Sequence, residues 1–304
     1  MKLDHTDGGQ TTFLVRFRGV RGSHPVTRPG ALYFGGHTSC IEVQTGDLRI
    51  VFDLGSGCIP LGEELAEEET DPIRLLVLVT HLHHDHTMGF PFFAPAYASD
   101  TSLTLTGPGL GGRSFQGLLE MAHGTPFFPV PPEKMPAHKT YLTLGHQEVL
   151  SWASPDEPVR RRQPDEEIPD EELVIRTFRN LDHPDGGVLN YRLERAGRSL
   201  VLATDVEGGT GEKGDTTLVE FAKDTDLLIH DAQYTDEEYA SRTGWGHSTW
   251  RMAIEAAKAA QARRLVLYSH DPSHDDVEVE DIERRTRELF SASIAASEGL
   301  EIRL

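Results

Sequence analysis

The 304-residue sequence contains only two cysteines, Cys40 and Cys58. Two are too few for a disulfide framework, and their spacing is not that of a zinc ribbon, so we expect buried thiols in a reducing compartment. Long hydrophobic runs are also missing, and the amino-terminal segment MKLDHTDGGQ has no apolar stretch that could act as a signal peptide. We therefore expect a cytoplasmic protein that has no membrane partner.

Basic residues are scarce relative to acidic ones. The chain has 29 Lys and Arg against 49 Asp and Glu, which gives a net charge of -20. A surface of this sign repels polyanions and weakens any interface that depends on phosphate contacts. We therefore expect no long nucleic acid as a partner.

The composition and the hydrophobic pattern indicate a globular α/β fold. Short runs rich in Val, Ile and Leu predict strands that are buried on both faces. These runs cover residues 48–52, 75–79, 200–203, 227–229 and 265–268. Helices are predicted over 247–261, where Ser248 or Thr249 can form the N-cap, and over 279–290.

We predict one domain over residues 13–304, preceded by a loose tail at residues 1–12. Residues 151–172 interrupt the alternation of strands and helices, because they are rich in proline and charge. We expect a polar surface insertion there, and the alternative is a rim that contacts substrate.

The strongest chemical signal is the segment VLVTHLHHDHTMG. It places four metal-ligand side chains directly after the predicted strand 75–79, namely His81, His83, Asp85 and His86. Imidazoles two residues apart can face one cation, while the aspartate and the next histidine can face a second cation beside it. The alternative is a histidine-rich loop that caps a helix, but this density of ligand types favours metal binding.

Three later residues also lie at or just beyond the ends of apolar runs. His183 follows the run 173–178, Asp205 follows the segment LVLAT, and His270 ends the segment LVLYSH. Open α/β sheets gather their chemistry at the carboxyl ends of strands, so these residues are candidates for further metal ligands. Taken singly, each is equally compatible with a turn or a surface position.

Together, THLHHDHTMG, the three later residues and the early segment FDLGSG resemble the metallo-β-lactamase superfamily over about residues 17–304. The resemblance implies a four-layer αββα sandwich with two divalent metal ions. One ion would be bound by His81, His83 and His183, the other by Asp85, His86 and His270, and Asp205 would bridge them. Asp53 would orient one ligand or simply occupy the turn before Gly55. Zinc is the expected metal, and manganese or iron would suit the same ligands.

The segment LLIHDAQYTDEEYASRTGWGHSTWRMAIEAA resembles the ribonuclease Z branch and its relatives that open small cyclic phosphodiesters. The resemblance implies that His247 gives a proton to the leaving alkoxide and that Asp231 orients the imidazole of His247. The alternative is that both residues only cap local structure. The sequence departs from the ribonuclease pattern, with Asp231 for glutamate and Gln233 for threonine. The geometry of the pair is therefore less firmly predicted than the metal site.

Ribonuclease Z carries a long tRNA-clamping arm between its third and fourth metal motifs, but only 21 residues separate His183 from Asp205 here. With the acidic charge, this favours a metal-dependent phosphodiesterase for a small phosphodiester, most naturally a cyclic nucleotide. The predicted catalytic residues are His247, Asp231 and Asp85. The alternatives are an ester, thioester or lactone hydrolase, a ribonuclease Z-like nuclease, and a binding protein without catalysis. The resemblance also allows a homodimer.

The segment FRGVRGSHPVTRPGALYFGGHTSC resembles a bacterial subgroup placed near cyclic-nucleotide phosphodiesterases. Four of its residues are candidate phosphate or base contacts, although ordinary turn chemistry explains each as well: Arg18, Arg21, Ser23 and His37. Five phenylalanines follow the metal motif, and we expect them to be core rather than base-stacking residues: Phe90, Phe92, Phe93, Phe127 and Phe128.

Overall fold

The computed structural model describes residues 13–68, 72–208 and 216–304. The predicted loose tail, residues 1–12, lies outside the described residues. Over the described ranges, no helix combines the length and the apolar character needed to cross a membrane.

The first sheet has seven strands in the order β15-β1-β2-β3-β4-β5-β6. They are β1 (Leu14–Gly19), β2 (Cys40–Thr45), β3 (Leu48–Phe52), β4 (Arg74–Leu78), β5 (Ser102–Pro108), β6 (His138–Leu144) and β15 (Glu301–Arg303). Strands β3 to β6 are parallel, and β1, β2 and β15 pair in antiparallel fashion at the other side of the sheet.

The second sheet has eight strands in the order β14-β13-β12-β11-β10-β9-β7-β8. They are β7 (Val149–Trp152), β8 (Arg160–Arg162), β9 (Leu173–Asn180), β10 (Val188–Arg195), β11 (Arg198–Ala203), β12 (Leu227–Asp231), β13 (Leu265–Tyr268) and β14 (Ser293–Ala295). The helices are α1 (Cys58–Glu68), α2 (His84–Thr87), α3 (Phe115–His123), α4 (Thr216–Phe221), α5 (Asp236–Tyr239), α6 (Trp250–Ala259) and α7 (Asp276–Leu289).

Side-chain alternation along the strands builds the layers. On β11, Leu200 and Leu202 join a core formed by residues of both sheets. Val201 and Ala203 point the other way and pack in a cluster with Trp250 of α6. A further cluster joins the first sheet to α1 and α3. The predicted four-layer αββα sandwich is therefore confirmed.

All five predicted strand runs form strands, and both predicted helices form. Thr249, rather than Ser248, is the N-cap of α6, because its side chain accepts the backbone N–H of Met252. Part of the stretch 151–172 belongs to β7 and β8, which pair at the edge of the second sheet. Cys40 and Cys58 are both buried and unbridged.

Strands β11, β12 and β13 run parallel, so their carboxyl ends meet at one edge of the second sheet. Asp231 is the last residue of β12, and Asp205 follows β11 by two residues. The loop after β4, which carries the histidine-rich motif, approaches the same edge from the first sheet. The fold thus gathers residues that are far apart in the sequence at a single edge.

Candidate metal centre

Three histidines form the first part of the cluster at this edge: His81, His83 and His183. Their ligand nitrogens lie within 4.8 Å of one another, and His183 Nε2 is 3.0 Å from His83 Nδ1. The orientation of His183 is set by the carbonyl oxygen of Gly246, which lies 2.9 Å from Nδ1. A Cβ on Gly246 would lie 2.3 Å from that nitrogen, so the contact requires a glycine at this position.

The second part of the cluster contains His86, Asp205 and Asp85. His86 Nε2 lies 3.3 Å from Asp205 Oδ2 and 3.3 Å from Asp85 Oδ2. Its other ring nitrogen, Nδ1, is 2.7 Å from Asp53 Oδ2. Asp53 therefore holds the ring so that Nε2 faces the two carboxylates. His81 connects the two parts, because its Nε2 is 3.9 Å from Asp205 Oδ1.

These residues fit a cation. The Nε2 atom of His81 is buried and has no hydrogen-bond partner among the described residues, and the buried Nε2 atom of His86 faces two carboxylates at 3.3 Å. A buried nitrogen without a partner is costly, and a metal ion would accept its lone pair. Burial, followed by the charge of His86, lowers the pKa of His81 well below its ordinary value, which favours the neutral form that ligates metal. Burial also lowers the pKa of His86, but Asp205, Asp85 and Asp53 outweigh it and raise that pKa well above its ordinary value.

The structure does not bring His270 into this cluster, which corrects its predicted role as a ligand. Its Nε2 lies 2.8 Å from the carbonyl oxygen of Ala296, and its ring packs edge-on against Phe34. Ser269, the residue before it, has a φ of +62°, and its Oγ lies 3.4 Å from Gln233 Oε1, whereas the His270 ring lies against Phe34. Six of the seven predicted ligands come together, and the seventh does not.

His247 and Asp231 lie beside the cluster. His247 Nδ1 is 2.7 Å from Asp231 Oδ2, and His247 Nε2 is 3.8 Å from Asp205 Oδ1. Asp231 is fully buried and also accepts the backbone N–H groups of Ser248 and Asp205. Burial lowers the pKa of His247, but the charge and hydrogen bond of Asp231 outweigh it and raise that pKa to about 9. The pair can therefore hold a proton on Nε2 at the edge of the cluster.

Three of the four candidate phosphate contacts have structural roles instead. Arg18 pairs with Glu42 and Glu64. Arg21 is buried and donates to the backbone carbonyls of three residues: Gly35, Asp271 and His274. His37 Nδ1 contacts Ser56 Oγ. Ser23 does reach the cluster, because its backbone N–H donates to Asp85 Oδ2 at 2.8 Å.

The expectation for the phenylalanines is correct only in part. Phe90 and Phe93 are fully buried, but Phe92 and Phe127 are 56% and 77% exposed. Phe92 packs edge-on against Phe128, so this pair lies at the surface.

Sequence reasoning missed a recess of about 460 Å³ that lies beside His247. Its lining includes Arg28, Arg242 and Trp245 together with Ser23 and Asp271. The Trp245 side chain is 60% exposed, and Arg242 pairs with Asp271 at 3.0 Å. The available signal was the unusual run Gly244–Gly246 around a tryptophan, directly before His247.

The family described as "Beta-lactamase superfamily domain" matches residues 49–270, which is most of the chain. The chain belongs to the metallo-β-lactamase superfamily. This superfamily member is 28% identical to the ribonuclease Z of Gemmatimonas aurantiaca and 24% identical to that of Haloarcula marismortui. The alignments cover 96% of this chain in each case, and 96% and 97% of the relatives.

Solved structures share the fold. The metallo-β-lactamase fold protein YhfI from Bacillus subtilis superposes with a TM-score of 0.67 at 19% identity, over 97% of this chain and 100% of that one. The short form of human tRNase Z superposes with a TM-score of 0.57 at 20% identity, over 95% and 98%. The family match and the ribonuclease Z relatives, rather than these structures, indicate that this superfamily member is a metal-dependent hydrolase similar to the ribonuclease Z branch.

These relatives overturn one expectation. The prediction that no long nucleic acid is a partner is wrong, because proteins that match the chain almost from end to end are named ribonucleases. The net charge sums over the whole surface and does not fix the potential at one edge of the fold. The short segment between His183 and Asp205 forms the β10–β11 hairpin, so its length reflects sheet structure and says nothing about the substrate.

Proposed function

We propose that this superfamily member is a two-metal phosphodiesterase that cleaves RNA. The observation that carries the proposal is the His247–Asp231 pair, which lies 2.7 Å apart and faces Asp205 at the edge of the candidate metal cluster. Cleavage of a phosphodiester needs a proton at the leaving oxygen, and a buried histidine held by a carboxylate suits that task. The similarity to ribonuclease Z proteins over the whole chain supports RNA as the substrate.

The cations would be held by imidazoles and carboxylates at this edge: His81, His83, His183, Asp85, His86 and Asp205. This nitrogen-rich set suits zinc, and it also accepts manganese or iron. When bound, the metals would lower the pKa of a water molecule and neutralise charge on the phosphoryl oxygens.

Side chains of the protein supply the proton that the leaving oxygen needs. A water molecule attacks phosphorus and gives up one proton to the carboxylate of Asp85, and the bond from phosphorus to the leaving oxygen breaks. The proton on His247 Nε2 passes to that leaving oxygen, so that the product departs as an alcohol. Asp231 keeps Nδ1 of the same ring hydrogen-bonded, which leaves Nε2 as the nitrogen that faces the cluster.

The recess beside His247 suits one side of a nucleic acid strand. The exposed ring of Trp245 offers a stacking surface that accepts any base, and the guanidinium of Arg28 offers hydrogen bonds for a phosphate. Both side chains line the same recess as His247, the proposed proton donor, so they would contact the part of the strand that carries the leaving oxygen.

The test is hydrolysis by the full chain loaded with Zn²⁺ or Mn²⁺. The substrates are a tRNA precursor transcript, an unstructured RNA, bis-p-nitrophenyl phosphate, a panel of cyclic nucleotides and a thioester. We expect metal-dependent RNA cleavage that is lost in His83→Ala, through loss of metal, and in His247→Ala, with metal retained. An exposed histidine, His138, gives the matched control variant His138→Ala. Turnover of the thioester with every phosphodiester inert would overturn the proposal in favour of a carbon-ester hydrolase.

A further inference from the structure

Ligand side chains are divided unevenly between the two parts of the cluster. Three imidazoles face one position, those of His81, His83 and His183. The other position is approached by His86 and by the carboxylates of Asp85 and Asp205. His81 also lies with His86 and Asp205, so among the described residues His86 is the one imidazole of this second group that the first group does not contain.

The side chain that would complete the second position is directed elsewhere. His270 is buried, with Nε2 held by the Ala296 carbonyl and the ring held by Phe34. The side chain is only 4% exposed, and burial, followed by the charge of Arg21, lowers the pKa of His270 to about 3. The ring is therefore enclosed in the protein interior and does not face the carboxylates of the cluster.

Uncharged side chains lie between Ser269 and Asp85. Ser269 Oγ lies 3.4 Å from Gln233 Oε1, and Gln233 Nε2 lies 3.4 Å from Ser23 Oγ. The Ser23 N–H in turn donates to Asp85 Oδ2. A Cβ on Gly22 would come within 2.3 Å of Gln233 Oε1 and 2.6 Å of Ser269 Oγ, so the absence of a side chain at Gly22 gives these groups their room. The chain from Ser269 to Asp85 thus contains hydroxyls and an amide, where a complete second position would have an imidazole.

We propose that the two cation positions are unequal, with a tight zinc position at His81, His83 and His183 and a weak, exchangeable position at His86, Asp85 and Asp205. Carboxylate oxygens make up most of the second donor set, and oxygen ligands favour harder cations such as Mn²⁺ or Mg²⁺. The enzyme would then keep one ion permanently and take up the second from solution. The inference rests on the proposed function only in requiring that cations bind at this edge.

Metal binding tests the proposal without reference to activity. The purified full chain is dialysed, its metal content is measured by mass spectrometry, and Zn²⁺ and Mn²⁺ are then titrated by calorimetry. We expect about one zinc to remain and a second equivalent to bind more weakly by roughly 100-fold, since loss of even an orienting contact costs roughly 10- to 100-fold in affinity. His83→Ala should lose the retained zinc, whereas His86→Ala should keep it. The electron paramagnetic resonance spectrum of Mn²⁺ bound at the second position should disappear in His86→Ala.

A gain of metal provides the converse test. Ser269→His should strengthen the second position and raise the retained metal toward two ions per chain, and the Gln233→Ala background provides room for the larger ring. Two equally tight ions in the unmodified chain, with RNA cleavage intact, would overturn this inference alone. Equal loss of zinc in His83→Ala and His86→Ala would also overturn it. Binding of no metal at either position would contradict the proposed function as well.

Discussion

Asp53 Oδ2 lies 2.7 Å from His86 Nδ1, and both side chains are buried. Asp53 also accepts hydrogen bonds from the Thr80 backbone N–H and from the Ser39 hydroxyl. The carboxylate thus connects the turn after β3, the start of the metal-binding loop and the ring of His86. Asp53 adopts a φ of +58°, a conformation that aspartate and asparagine tolerate better than most residues.

Asp53→Asn should therefore keep the backbone and weaken metal binding. Asparagine has one oxygen that accepts hydrogen bonds and one NH2 group that only donates them. The NH2 group would therefore face a hydrogen-bond donor of Thr80, Ser39 or His86. We expect an affinity roughly 10- to 100-fold lower for the cation at His86, because contacts that orient a ligand contribute about that much. Competition with a metal-sensitive dye measures it. Asp47→Asn, on the exposed turn between β2 and β3, is the control and should leave the affinity unchanged.

Asp231→Asn should reduce kcat while leaving the metals in place. The Asp231 oxygens accept backbone N–H groups on both sides as well as His247, so an asparagine would present an N–H to at least one of these donors. The expected loss in kcat is about 10²- to 10⁴-fold, the usual contribution of a positioned acid, with a much smaller change in KM. Steady-state kinetics measures kcat and KM, and metal analysis of the same sample measures the retained metal.

The double variant Asp231→Asn with His247→Gln separates a positioning role from a structural one. If Asp231 acts through His247, the second substitution should add little to the first, since residues that work as a unit have non-additive effects. Additive losses would contradict the assignment of the pair.

The parts of this molecule that follow from local patterns were predictable from sequence. The buried strand before His81 has a continuous apolar pattern, and Thr249 lies where a helix N-cap is preferred. His270 was not predictable, because its orientation depends on the positive φ at Ser269 and on the distant Ala296 carbonyl. Arg21 was not predictable either, because its partners include carbonyls about 250 residues away in the chain.

Trp245→Ala should raise KM for RNA more than it lowers kcat. Stacking of one base on an aromatic ring contributes about 1 to 3 kcal/mol, which corresponds to roughly 5- to 150-fold in KM. Trp245→Phe keeps a ring and should retain most of the affinity. Turnover of bis-p-nitrophenyl phosphate, which has no base, should be nearly unchanged in both variants. An equal loss on both substrates would show that Trp245 supports the fold of the site and does not contact the strand.

His123 should make stability depend on pH. It is buried beside Phe90 and His84, its Nε2 has no hydrogen-bond partner among the described residues, and burial followed by the charge of His84 lowers its pKa from 6.5 to about 4. His123 is therefore protonated with a pKa of 6.5 in the unfolded chain and with a pKa of about 4 in the folded chain.

The stabilising contribution of neutral His123 is complete above the unfolded pKa and is lost as the pH falls through the interval between these two values. Urea unfolding at pH 7 and pH 5 should show that the unmodified protein loses up to about 2 kcal/mol more stability than His123→Gln, which has no titrating group there. Metal release on acidification affects both proteins equally, because His123 is not a ligand in the cluster, and it cancels in the difference. Equal losses in the two proteins would mean that His123 is protonated in the folded state without cost, and that the buried ring has access to water or to an acceptor.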